Sequence, residues 1–327
     1  MNHRSGFVAV IGKPNVGKST LINALLGQKI AAVSPRPQTT RRRQLGILTR
    51  PEAQIAFVDT PGLHTPRHKL GEYFNQEAEA ALEGVSVILF MVDANAEPDD
   101  EDRRIASLLK KLPPVLRSGG AARRRAPDLV LALNKIDLIP ASAWEARRSA
   151  YQALVPNAPL AAISATRHDG IADLLQMLVS RLPVRPPEFP EDQVTDLYER
   201  EIVADLIREA ALVYLREEVP HALAVRLDEF TERGSSTLRQ SQRGASLTPG
   251  AFIAATLFVE HDSQKGIVIG EGGGMLKKIG AAARKEIEAM SGRKVFLQLR
   301  VKVAKDWRDD EAALRRFGYR IKKRRTK

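Results

Sequence analysis

The chain has 327 residues, no cysteine, 43% hydrophobic and 28% charged residues, an ordinary globular composition with length enough for two cores. Collagenous, disulfide-stapled and wholly disordered chains are excluded, and the longest nearly unbroken apolar stretch, Val85 to Val92, is far short of the roughly 20 residues of a membrane-spanning helix. The formal charge of +12 is concentrated: from Lys265 onward nineteen Lys and Arg face seven Asp and Glu, a difference equal to the whole excess. Such asymmetry points to a polyanion-binding C-terminal module, for nucleic acid or for an anionic membrane surface. The N-terminal residues lack a signal-peptide profile, so a reducing, cytoplasmic setting is expected.

In chain order, Gly6 to Ile11, Ile55 to Val58, Val85 to Val92, Leu129 to Leu133 and Leu160 to Ile163 are short apolar runs of the kind that form strands covered on both faces. Helical patterns, Lys18 to Leu26 and Ile171 to Leu182 among them, fall between, which predicts an α/β domain with a mostly parallel sheet and helices on both faces over residues 1–182. Gly119 to Arg125, within 117–127, reads as a surface insertion. Pro183, Pro186, Pro187 and Pro190 predict an extended, semi-stiff linker and domain boundary over 183–190. The remainder, 191–327, reads as a second, α+β domain: a long helix (Leu197 to Glu217), a strand (Ala222 to Phe230), a flexible connection (Gly234 to Gly250) and a second strand (Phe252 to Val259). A glycine-interrupted helical region and a strand from Lys294 to Val303 complete it, ahead of a basic tail.

The first strand runs into Gly12, Lys13, Pro14, Asn15, Val16, Gly17, Lys18 and Ser19, a full GxxxxGK(S/T) that opens a helix, the context that the phosphate-binding P-loop requires, and with Thr20 these residues are the expected phosphate-binding set. Its backbone N–H groups and the helix N-terminus favour phosphate oxygens, Lys18 would reach the β and γ phosphates, and Ser19 would ligate Mg2+. Asn134, Lys135, Ile136 and Asp137 end the Leu129 strand. A carboxylate at Asp137 accepts both N–H donors on the Watson–Crick edge of guanine and repels adenine. Asn134 would brace the loop, Lys135 would lay its stem on the base, and the backbone of Ser164 and Ala165 would contact the guanine oxygen. Asp59, Thr60, Pro61 and Gly62 follow the Ile55 strand: Asp59 would hold Mg2+ through water, and the Gly62 N–H would meet the γ-phosphate. Thr40, preferred over Thr39, would bridge Mg2+ and γ-phosphate and order its loop only in the triphosphate state.

These motifs, in this order, resemble the translation-factor-related GTPases, and Gln38, Thr39, Thr40, Arg41 with Asp59, Thr60, Pro61, Gly62, Leu63, His64 resemble the Era family over nearly the whole chain. The resemblance implies a GTP/GDP switch with Lys18, Thr40, Gly62 and Asn15 in the catalytic machinery. Leu63 stands where Ras-like proteins carry a water-orienting glutamine, so slow intrinsic hydrolysis is expected. Related GTPases with an Asn placed like Asn15 use it to bind K+, which makes K+ a candidate cofactor here.

In the second domain, Gly270, Glu271, Gly272 and Gly273 form a GxxG loop behind Ile267, Val268 and Ile269, followed by a helix with Lys277, Lys278, Arg284 and Lys285. Such a loop lets a nucleic-acid backbone approach closely, as in KH domains, and the order is similar to the type II KH domain of the Era family. Lys265, Gly266, Ile269, Gly270, Glu271, Gly272, Gly273, Lys277, Lys278 and Arg284 are the expected RNA-binding set. Glu271 departs from the basic or neutral residue common there. The Arg41 to Arg43 run is either a second RNA contact or a solvated charged face. The resemblance implies binding to the 3′ end of 16S rRNA during assembly of the 30S subunit. It also keeps open a different reading, a membrane-associated signalling or cell-cycle GTPase whose basic region lies on anionic lipid. No obligate protein partner is legible, and a monomer is expected.

Overall fold

The computed structural model describes residues 3–33, 40–63, 65–66, 68–112, 115–116, 124–233 and 250–319. Gln38, Thr39, His64, most of the 117–127 insertion, 234–249 and the basic tail lie outside them. The chain divides into two compact units, with the break between Leu197 and Tyr198.

In the first unit the elements run β1 (Arg4–Ile11), α1 (Lys18–Leu26), β2 (Gln44–Thr49), β3 (Ala53–Asp59), α2 (Lys69–Ala80), β4 (Val87–Asp93) and α3 (Asp100–Lys110). A short ribbon, β5 (Val115–Leu116) and β6 (Arg124–Arg125), precedes β7 (Asp128–Asn134), α4 (Trp144–Leu154), β8 (Leu160–Ala162) and α5 (Ile171–Val179). Six strands form one sheet in the order β2-β3-β1-β4-β7-β8. Every pairing is parallel except β2 with β3. Alternate residues of the apolar strands serve opposite cores. Val8, Val10, Phe57 and Leu89 pack with Leu21 and Ile22 of α1 and Leu174 and Leu178 of α5. Ala9, Ile11, Val58 and Phe90 pack with Ala78, Ile105 and Tyr151 from α2, α3 and α4. Because the sheet is buried on both faces, its strands lack a polar alternation. The carboxyl ends of β1, β3, β4 and β7 all open on one edge, where ligands bind in open α/β sheets.

The proline-rich segment is extended, as expected, but it is not a free spacer. Ser5 N–H donates to Pro183 O at 3.1 Å, Arg185 N–H to His3 O at 3.0 Å, and Ile47 N–H to Val194 O at 2.9 Å. Phe189 packs edge-on to Phe7, with ring centroids 6.0 Å apart. Buried Gln54 clamps the segment: its Oε1 accepts from Glu188 and Phe189 N–H at 2.7 and 2.9 Å, and its Nε2 donates to Phe189 O at 2.9 Å. The boundary therefore shifts from 183–190 to the end of this strap.

The second unit is α6 (Glu199–Tyr214), β9 (Ala224–Arg233), β10 (Gly250–Val259), α7 (Asp262–Ile269), α8 (Gly274–Ser291), β11 (Lys294–Val303) and α9 (Glu311–Arg316). The sheet order is β11-β10-β9, with β10 antiparallel to β9 and parallel to β11. Helices α6 and α8 pack on each other and on the sheet. Wholly buried Trp307 donates from Nε1 to Ala222 O at 2.8 Å and closes the core beyond β11. Helix α6 is shorter at both ends than the expected Leu197 to Glu217. Tyr198 is extended, with its N–H capped by the Glu201 carboxylate at 3.1 Å, and Leu215 is again extended.

Gln54→Ala removes the acceptor of two strap N–H groups, each worth about 1–3 kcal/mol when left unsatisfied. The variant is expected to exchange the Glu188 and Phe189 amides with deuterium faster than the parent, and to unfold at lower urea, by about 2 kcal/mol in the G-domain transition.

Candidate functional site

The phosphate loop, Gly12 to Gly17, links β1 to α1, and the Lys18 ammonium turns back into it, donating to the carbonyls of Gly12 and Lys13 at 3.1 and 3.0 Å. Burial depresses the Lys18 pKa to about 8, with the Asp59 charge opposing the shift. At the end of β3, Asp59 is 0% exposed. Its Oδ2 accepts from Ser19 Oγ at 2.7 Å, Thr40 Oγ1 at 3.3 Å and Gln44 Nε2 at 3.4 Å, and the two hydroxyls lie 2.8 Å apart. Burial raises the Asp59 pKa, against the hydrogen bond from Ser19, the Lys18 charge and the bond from Thr40. Its Oδ1 is buried with no hydrogen-bond partner among the described residues. A hard divalent cation takes oxygen ligands of this kind, so the hydroxyls of Ser19 and Thr40 and the orphaned Asp59 carboxylate fit Mg2+. Thr60 Oγ1 donates to Val10 O at 2.8 Å, and a Cβ on Gly62 would stand 2.5 Å from Pro14 N, so only glycine lets this loop lie on the phosphate loop.

The segments expected to read the base are joined through one amide. Asn134 Nδ2 donates to Val16 O at 2.8 Å and its Oδ1 accepts from Ala165 N–H at 2.9 Å, joining the phosphate loop to the segment after β8. Lys135, in left-handed backbone, extends to Asp93 Oδ2 at 2.5 Å. Asp137 has one oxygen 3.7 Å from Arg167 Nε and the other buried without a partner among the described residues, an acceptor suited to guanine N–H groups. The Ser164 and Ala165 N–H groups both bond inside the chain, to Asp169 O at 3.0 Å and to Asn134, so approach to a guanine carbonyl exchanges or shares one of those bonds.

Several placements were not legible from motifs. Lys13 turns away from the phosphate path, its Nζ held by Asp99 and Asp102 at 2.7 and 2.8 Å, while those carboxylates cap α3 reciprocally with their backbone N–H groups. The D-x-x-D spacing signals the cap but not its cation. Tyr151 OH donates to the carbonyls of Asp93 and Ala96, fixing the loop that holds Lys135. Asn15 is exposed with a positive φ of 64°. Leu63 is buried with the α2–α3 core and offers no polar group to a water. Arg41 is only 3% exposed, which removes it from the expected basic surface; Arg42 is half-buried, Arg43 exposed.

In the second unit, α7 and α8 are joined by the glycine loop. Gly270, Gly272 and Gly273 have φ of 71°, 55° and 76°, conformations that side-chain-bearing residues rarely adopt. No atom lies within 4 Å of a Cβ built on Gly266, Gly272, Gly273 or Gly274, so the loop presents bare backbone at the start of α8. Lys277 and Lys278 are exposed near the start of α8, Arg284 is exposed further along it, Lys265 and Ile269 are half-buried, and Glu271 is exposed.

The P-loop, the acidic residue after β3, the guanine-reading segment after β7 and the appended helix–glycine loop–helix unit define a P-loop GTPase carrying a KH domain. A family model described as 50S ribosome-binding GTPase matches residues 7–134, and the KH domain model matches 218–308. GTPase Era of Geobacter metallireducens is 45% identical over 97% of this chain and 98% of its own, and GTPase Era of Halothermothrix orenii 43% over 98% and 100%. The chain belongs to the GTPase Era family. Two solved structures superpose with a TM-score of 0.84 at 36% identity: Era in complex with MgGDPNP and nucleotides 1506–1542 of 16S ribosomal RNA, covering 98% of this chain and all of that one, and an Aquifex aeolicus Era variant bound to GDP.AlF4−, covering 97% and 100%.

The Lys18 environment gives a pH dependence with a definite sign. Phosphates raise the depressed pKa of Lys18, so binding is strongest where the ammonium is already charged, below about pH 8, and weakens as pH rises through that value. Calorimetry of GDP binding at pH 8.5 is expected to register proton uptake that is absent at pH 6.5; equal proton stoichiometry at both would overturn this.

Proposed function

We propose that the chain is a GTP-hydrolysing switch whose KH domain holds single-stranded RNA at the 3′ end of 16S rRNA in the cytoplasm during 30S assembly. The observation that carries the nucleotide part of the reading is that Asp59, in the expected Mg2+ motif, and Asp137, in the expected guanine motif, each keep a buried carboxylate oxygen without a hydrogen-bond partner among the described residues. Support for the target comes from the RNA held by the solved relative. We assign nucleotide chemistry to residues up to Leu197 and RNA binding to the remainder.

Bound Mg2+ neutralises charge on the transferring phosphoryl group. Ser19, Thr40 and Asp59 hold it; Lys18 and the loop N–H groups orient the phosphates; Asn134, Lys135 and Asp137 select guanine. Thr40 and Gly62 stand where loss of the γ-phosphate releases their segments. Nothing on Leu63 activates water, so slow turnover is part of this reading, as is K+ held beside the phosphates by Asn15. Hydrolysis is accordingly expected to run faster in potassium than in sodium buffer at equal ionic strength, and equal rates would remove the K+ assignment.

RNA binding is tested with a short oligonucleotide matching the 16S 3′ end and a scrambled one, in GTP analogue and in GDP. Tight binding to the matching RNA with the analogue is expected; equal, salt-sensitive binding to both RNAs in both states would overturn the coupled switch. Glu271→Lys replaces an exposed carboxylate of the glycine loop with a cation and is expected to tighten binding several-fold; unchanged affinity would show that the side chain stands away from the RNA backbone. No helix among the described residues is long and apolar enough to cross a membrane.

A further inference from the structure

The KH sheet has two faces. Val295, Leu297, Leu299, Val301 and Val303 of β11 turn toward the helices, while Lys294, Phe296, Gln298, Arg300 and Lys302 alternate with them and are all exposed. Phe296 is 67% exposed, and its ring stacks on Phe252 of β10 with centroids 5.7 Å apart and planes at 14°. The register sets Ala254 beside Gln298 and Thr256 beside Arg300, so a low floor separates the ring pair from the cations.

At the other end of this face the chain covers its own aromatic residue. Phe258 is buried beneath Phe317, 4.8 Å away, with the guanidinium groups of Arg226 and Arg316 at 5.2 and 5.8 Å. Two acids of β9 share this face: Glu229, paired in register with Ala254, accepts from Thr231 Oγ1 at 3.2 Å, and Asp228 is engaged by Arg226 and Thr256, with Lys302 adding to the charge around it. Among the described residues, then, the exposed side of β11 offers one aromatic platform, an amide and a run of cations without a carboxylate on the same strand.

We propose that this face is a second RNA-binding surface, on which Phe296 stacks a base and Arg300 and Lys302 neutralise phosphates of the strand held by the glycine loop. Side chains two apart on a strand are about 6.6 Å apart, a repeat that suits successive nucleotides of an extended single strand. The path is continuous: α7, which carries one end of the glycine loop, packs on β11, and β11 is the edge of the sheet. A strand longer than the roughly four nucleotides clamped by such a loop crosses that edge onto the ring pair. The charge of the face selects a polyanion, and the flat stacked rings select bases over lipid headgroups.

This inference rests on the RNA reading above, so its test separates the two. Full-length protein is titrated with two RNAs of the 16S 3′ end, one of about 6 nucleotides filling the clamp and one of about 20. Phe296→Ala is expected to weaken the longer RNA about tenfold and leave the shorter unchanged. The double variant Arg300→Ala, Lys302→Ala should lower the salt slope for the longer RNA by about 0.7 per cation removed. Phe296→Trp should keep full affinity, with its fluorescence quenched by the longer RNA only. Unchanged affinity of Phe296→Ala for the longer RNA, or loss of phosphatidylglycerol-vesicle binding in its place, overturns the surface. If Lys277→Ala, Lys278→Ala leaves both RNAs unaffected, the failure belongs to the RNA reading itself.

Discussion

A carboxylate and an ammonium are buried side by side at the carboxyl end of the central strands, and neither is comfortable there. Burial raises the pKa of Asp59 and lowers that of Lys18, so both groups are pushed toward neutrality despite their mutual attraction. A divalent cation beside Asp59 and phosphate beside Lys18 relieve both at once. The protein tolerates the arrangement because β3 and the P-loop are anchored in a sheet buried on both faces, where Phe57, Val58, Val10 and Ile11 leave no room for relaxation. The same carboxylate oxygen collects Ser19 from α1, Thr40 from the loop before β2 and Gln44 from β2 itself. A change at the phosphate end is thereby felt directly by the segment that must move.

Around that centre the recognition loops are tied to each other and not merely to their own strands. Asn134, 3% exposed, holds the phosphate loop with one end of its amide and the segment after β8 with the other. Lys135 and Tyr151 both engage Asp93, one through its carboxylate and one through its carbonyl. The two loops therefore share one frame, while Thr40 is held through its hydroxyl, by Ser19 and Asp59, polar contacts that a ligand can exchange.

How much of this could be read from the sequence depends on how local each feature is. The five apolar runs are legible because a strand covered on both faces is apolar throughout. Strand β2, Gln44 to Thr49, was not: six residues behind an arginine run carry little signal of their own, and their state is set by antiparallel pairing with β3. Candidates that lie within one motif, such as Ser19 or Asp137, are legible because the proposed chemistry needs that residue at that spacing. Lys13 with Asp102 and Lys135 with Asp93 are not, since several helices and strands lie between the members of each pair and only the fold joins them. The four prolines disclose an extended backbone but not the surface it lies on, because Gln54 grips it through peptide groups, which no side-chain pattern encodes. Arg41 misleads for the opposite reason: a basic run reads as surface, and one of its members is buried.

The strap also decides what the sheet presents to other molecules. Strand β2 is an edge, and an uncovered edge is a template on which another chain can add a strand. Here Val194 accepts the Ile47 N–H at 2.9 Å, Asp196 Oδ1 accepts the Leu45 N–H at 2.7 Å, and Thr195 bridges Gly46. Two outward donors of this edge, the Leu45 and Ile47 N–H groups, are thus taken by the segment that leads to the KH unit. At the opposite edge β8 has only three residues, too short a rail to recruit a partner strand. The strap that leads into the second unit thereby shields part of the longer edge of an apolar sheet.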